Sequence, residues 1–180
     1  MEILIYQNPK NLYDNITVRR QEKQTRQEIN DGNNREARAN MALANTLAGY
    51  YMLCTSAHTM EHVMGGYHEN LVHGVGLIML AHEYYNFFAE RKAAENPMIK
   101  MAKAMGVEKP TSGKDFIEAL DNLIASIGCA ELKMSEAGIT EEELLSYPAH
   151  IHEVLGGDIT ADPLPLSDQD YLEIFQKSYR

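Results

Sequence analysis

Three times along this chain a serine or threonine is followed, three residues later, by an acid just ahead of an apolar run. The three pairs are Ser112-x-x-Asp115, Thr140-x-x-Glu143 and Ser167-x-x-Asp170. In such a pair each side chain satisfies a backbone N–H that the first turn of a helix leaves without a partner, so the pattern marks helix starts. Behind the first, Phe116, Leu120, Leu123, Ile124 and Ile127 keep a helical period. The strict alternation of a half-buried strand is nearly missing, with "EILIY" the one short candidate. The chain therefore reads as all-α, a single helical domain over residues 1–180 built from about seven helices.

The remaining segments fit that reading. "NPKNLYDNITVRRQEKQTRQEIND" has the look of a helix opened by Pro9 and closed before Gly32, with a thin apolar face. "REARANMALANTLAGYYMLC" places Leu43, Leu47 and Tyr51 four apart on one face, among small residues that let a neighbour come close. The next helix is expected to carry His58 to Met64 and to stop at Gly65-Gly66. Residues 74–91, "GVGLIMLAHEYYNFFAER", are apolar enough for a central helix.

A chain of 180 residues buries about 70% of its unfolded surface on folding, enough for a core without staples. Cys54 and Cys129 lie far apart and in no C-x-x-C pattern, which suits a reducing cytoplasm rather than a disulfide framework. A net charge of −10 argues against nucleic acid, whose phosphates demand a basic face. No apolar run reaches membrane-spanning length, and "MEILIYQNP" is too short and polar for a secretion signal. The expected location is cytoplasmic.

Chemistry concentrates in "HTMEHVMGGYHENLVHGVG", where four of the seven histidines fall between residues 58 and 73. On a helix, residues four apart share a face, so His58 and His62 point the same way. A divalent metal needs neutral imidazole nitrogens converging at about 2.1 Å on one point. His58 offers one from its helix, and a reversal at Gly65-Gly66 would return His73 to the same place. His68 reads as a turn residue. His82, Glu83, Tyr84 and Tyr85 read as helix surface and core, and His150 and His152 as solvent-facing. A competing pattern is also present: "HTMEH" is H-x-x-E-H, in which His58 and His62 would hold zinc and Glu61 would activate water. Such a hydrolase needs a further acidic ligand, with Glu136 or one of Glu141 to Glu143 the nominees.

The stretch "NREARANMALANTLAGYYMLCTSAHTMEHVMGGYHENLVHGVGLIML" resembles the C-terminal helical half of the iron-containing alcohol dehydrogenases. The shared features are the alanine-rich helix, the double histidine and the returning H-G; the closing "DYLEIFQKSYR" is similar to the family's last helix. The resemblance implies that His58 and His73 are metal ligands, for Fe2+ or alternatively Zn2+. It implies that His62 is a catalytic, non-ligand histidine lining the pocket and relaying a proton. The implied reaction is hydride transfer between a small alcohol or aldehyde and NAD(P).

The family takes an aspartate and a further histidine from a helix that would precede Met1, and no histidine occurs here before His58. No G-x-G-x-x-G follows a strand either. The resemblance thus implies that NAD(P) is held by a missing α/β domain or a complementing α/β chain, and that this chain is inactive alone. A homo-oligomer is also expected, through the helices at 37–53 and 74–91 if their apolar faces are open. A helical association module without chemistry is the remaining alternative.

Overall fold

The computed structural model describes residues 31–49, 55–155 and 161–180. The candidate strand "EILIY" and the helix expected to open at Pro9 lie outside them. The described residues form eight α-helices and one 3-10 turn, with no strand. In chain order they are α1 (Arg35–Gly49), α2 (Ser56–Tyr67), α3 (His73–Glu90), α4 (Glu95–Ala104), α5 (Gly113–Ser126), the 3-10 turn Ser135–Ala137, α6 (Glu141–Leu144), α7 (Tyr147–Leu155) and α8 (Asp168–Ser178).

They divide between two compact units. One holds the described residues within Leu53–Ala93 and Glu131–Arg180, the other those within Ile3–Met52 and Ala94–Ala130. In the second unit α4 and α5 pack together, and Met98, Ala102, Phe116, Leu120 and Leu123 are buried. Helix α5 starts where its box predicts: the Ser112 N–H donates to Asp115 at 2.7 Å. A bond from the Thr111 N–H, together with that one, holds the Asp115 carboxyl below its ordinary range. On α1 the buried positions are Ala37 and Ala44, while Leu43 is exposed. Of the expected row, Leu43 is therefore not a core residue, and the side chains of Leu47 and Tyr51 lie outside those described.

In the first unit α2 packs on α3 and α7, and α8 packs on α3 and α7. The core between them is aromatic and methionine-rich, with Met60, Met64, Leu80, Tyr84, Phe88, Tyr147 and Phe175 fully buried. Tyr147 meets Phe175 edge-on with centroids 5.2 Å apart, a favoured aromatic geometry. The other two capping boxes form as well, with Glu143 accepting from the Thr140 N–H at 2.8 Å and Asp170 from the Ser167 N–H at 2.9 Å.

Two expectations change here. Helix α2 does not stop at Gly65-Gly66; it runs on to Tyr67, and the His68 N–H closes it on the Met64 carbonyl at 2.9 Å. A glycine costs a helix interior only about 1 kcal/mol, whereas burying side chains such as Met60 and Met64 contributes about 1.5–3 kcal/mol each. Packing outweighs propensity, and the reversal falls to residues 68–72, where the Leu71 N–H donates to the His68 carbonyl at 2.8 Å. The second change concerns α3, which leaves no open apolar face. Leu77, Met79, Leu80, Tyr84, Tyr85, Phe87 and Phe88 are all buried, so these side chains pack within the chain. Among the described residues no helix is long and apolar enough to cross a membrane.

Candidate metal centre

The site is built on the first two turns of α2 and the first residue of α3. His58 and His62, one turn apart on α2, stand with ring centroids 4.3 Å apart. The reversal at 68–72 brings the His73 ring to 4.9 Å from that of His58 and 5.3 Å from that of His62. One nitrogen from each of the three lies within 4.8 Å of the others. Donors bound at about 2.1 Å to one ion are at most about 4.2 Å apart, so at most a small closing movement separates this arrangement from one that could hold an ion. His62 and His73 are exposed and His58 is half-buried, which leaves the cluster open on one side. Imidazole is a donor suited to Fe2+ and Zn2+, and the three rings fit either ion.

Behind the cluster lies Glu61, only 3% exposed. Its Oε2 is in close contact with Nδ1 of His73. This pairing is absent from any reading of the sequence in which Glu61 activates a metal-bound water, because the carboxylate is already engaged by an imidazole and withdrawn from solvent. The nominated acidic ligands are elsewhere too. Glu143 caps α6 and meets His68 Nε2 at 3.2 Å, and Glu136 faces Lys133 at 3.4 Å. His68 is thereby a turn residue with a carboxylate partner. His150 pairs with Glu153 at 2.8 Å on the outside of α7, and Tyr84 is core, as the sequence predicts.

Sequence reasoning missed the group that anchors the His58 helix. Asp162 Oδ1 accepts the Ser56 N–H at 3.1 Å and the Tyr84 hydroxyl at 2.5 Å, and its Oδ2 is in close contact with the Ser56 hydroxyl. One carboxylate thus fastens the first turn of α2 to α3. No local signal could have found it, since 106 residues separate Asp162 from Ser56. Burial raises the Asp162 carboxyl above its ordinary range, and the bonds from Ser56 and Tyr84 pull partly the other way.

Two consequences are measurable. Asp162→Ala strands buried donors, each costing about 1–3 kcal/mol, and is expected to lower the urea midpoint accordingly. The raised pKa means the folded state holds this proton more tightly than the unfolded chain. Its contribution therefore favours folding at low pH and declines as pH climbs from about 4 through the raised value. The stability difference between wild type and Asp162→Asn, followed over that range, should fall with rising pH; a flat difference would contradict the assignment.

Residues 16–179 match the Fe-containing alcohol dehydrogenase family, C-terminal. The NADH-dependent butanol dehydrogenase A of Clostridium acetobutylicum is 29% identical over 154 residues, covering 80% of this chain and 39% of that protein. Among solved structures, the archaeal halo-thermophilic alcohol dehydrogenase from a Red Sea brine pool has a TM-score of 0.86 at 24% identity, over 98% of this chain and 47% of its own. A 1,3-propanediol oxidoreductase has a TM-score of 0.85 at 22% identity, over 99% of this chain and 48% of its own. At those identities the structural likeness establishes the helical fold. The chain spans less than half the length of each of these relatives. With the family match running through nearly all of it, from before α1 to the end of α8, the chain belongs to the iron-containing alcohol dehydrogenases and corresponds to their C-terminal helical part.

Proposed function

We propose that this chain is the metal- and substrate-side half of an NAD(P)-dependent, iron-type alcohol dehydrogenase, a single helical domain acting on a small alcohol or aldehyde. The observation that carries the reading is the convergence of His58, His62 and His73, with one nitrogen from each within 4.8 Å of the others. His58 and His73 would hold Fe2+, or Zn2+ in its place. A bound ion supplies Lewis acidity toward the substrate oxygen. His62 stands on the exposed side of the trio and is assigned the proton transfer between the substrate hydroxyl and solvent through its ring. The relative's NADH and butanol make NADH and a short primary alcohol the first pair to try.

The nicotinamide cofactor has to be held against the substrate for hydride to pass, and here that falls to an α/β domain or a complementing α/β chain. Self-association into a homo-oligomer is part of the same reading, through a surface other than the buried side chains of α3. The zinc-hydrolase reading loses its base, since Glu61 is buried against His73.

The purified chain is expected to bind Fe2+ or Zn2+ and to turn over no short alcohol with NADH or NADPH. Isothermal titration measures the first, and absorbance of the reduced nicotinamide the second. Turnover above a His58→Ala control would overturn the dependence on an α/β partner, and wild-type protein that takes up neither ion would overturn the metal assignment.

A further inference from the structure

Glu61 is the least solvated charged group beside the cluster, 3% exposed, and no role in the reaction reading uses it. Its position is built rather than incidental. A Cβ on Gly76 of α3 would sit 2.7 Å from Glu61 Cγ and 2.9 Å from its Oε1, and one on Gly65 of α2 would lie 3.7 Å from the same oxygen. The carboxylate therefore occupies a slot between α2 and α3 that Gly76 keeps open, while a side chain at Gly65 would only touch it. From that slot Oε2 meets Nδ1 of His73. A buried carboxylate is an acceptor and nothing else when ionised. Its partner nitrogen must then carry the proton, which leaves Nε2 of the same ring with its lone pair free to bind an ion.

We infer that Glu61 is a positioning residue, which accepts the Nδ1–H of His73, fixes that ring's tautomer and rotation, and turns Nε2 toward His58 and His62. The inference rests on the metal reading above. It differs from a packing role in a definite way: a side chain that merely fills the slot sets no tautomer. Carboxylates behind metal-binding histidines act in this manner, and losing one typically lowers metal affinity 10–100-fold.

The test uses the full chain without metal and then with Zn2+. In long-range nitrogen–proton correlation spectra of the metal-free protein, His73 should appear as the Nδ1–H tautomer. Glu61→Leu, which keeps the volume and removes the acceptor, should return it to a mixture. Zn2+ affinity by chelator competition should fall 10–100-fold in the same variant. Glu61→Gln guards against misfolding, because its amide can accept from Nδ1–H or donate to Nδ1. It should give a mixed tautomer and a smaller loss of affinity. Variants that keep both the wild-type tautomer and the wild-type affinity would overturn the positioning role while leaving the metal site standing. Wild-type protein that binds no Zn2+ at all would overturn the metal reading, and the positioning role with it.

Discussion

His58→Ala should erase the stabilisation that a divalent ion confers on this protein. By linkage, an ion that binds the folded chain alone stabilises it by RT ln(1 + [L]/Kd), about 2.7 kcal/mol when the ion is at 100 times Kd. His58 supplies one of the three nitrogens gathered within 4.8 Å. Losing a partner that only orients a ligand already lowers affinity 10–100-fold, so losing a ligand should lower it at least ~100-fold. At the same ion concentration the variant would then gain only about 0.4 kcal/mol. Calorimetric melts with chelator and with excess Zn2+ read this directly. His62→Ala discriminates between two roles for that ring. As a proton carrier outside the coordination set it should leave the metal-induced rise in melting temperature nearly intact; as a third ligand it should behave like His58→Ala. His150→Ala, whose ring pairs with Glu153 on the outside of α7, is the control and should leave the rise unchanged. If His58→Ala also kept the full rise, the ion would be binding somewhere other than the trio.

What the sequence makes legible here is what is encoded locally. The starts of α5, α6 and α8 each depend on two residues three apart, and all three boxes form. The pairing of His58 with His62 follows from helical pitch alone. The extent of α2 is different, because two glycines weigh against a helix by propensity while the burial of Met60, Val63 and Met64 weighs for it. The second effect is invisible until the neighbouring helices are in place. Leu43 makes the same point: spacing identifies a face, but only packing decides what is covered, and on α1 Leu43 is exposed while Ala37 and Ala44 are buried. At the site, the return of His73 was legible as a need for a reversal, though not as the turn at 68–72 that makes it. The two carboxylates behind the histidines were not legible. Glu61 reaches a residue twelve positions on and Asp162 one 106 positions back, and neither separation has a signature in the sequence.

The glycines of this region should separate sharply on substitution, and Gly76 should be the costly one. Exchanging glycine for alanine inside a helix gains about 1 kcal/mol from propensity, and at Gly66 and Gly74 nothing lies within 4 Å of the added Cβ. Gly66→Ala and Gly74→Ala are therefore expected to be neutral or stabilising by up to about 1 kcal/mol. At Gly76 the same methyl meets Glu61 Cγ at 2.7 Å, Glu61 Oε1 at 2.9 Å and Met64 Cε at 3.2 Å. The methionine end can swing aside. The Glu61 stem cannot, because it is buried and its carboxylate is held by His73. Overpacking of this kind costs about 1–3 kcal/mol, so it matches or exceeds the propensity gain, and Gly76→Ala should be destabilising by up to about 2 kcal/mol. Valine adds two more methyls and loses χ1 freedom in a helix. Gly76→Val should cost more than about 3 kcal/mol, by forcing α2 and α3 apart. The displacement acts on the carboxylate behind His73, so metal affinity should fall in the same order, glycine above alanine above valine. Urea unfolding of the metal-free chain gives the first series and chelator competition the second. A Gly76→Ala protein as stable as Gly66→Ala, with Zn2+ affinity undiminished, would show that α2 and α3 do not approach closely enough there for glycine to matter.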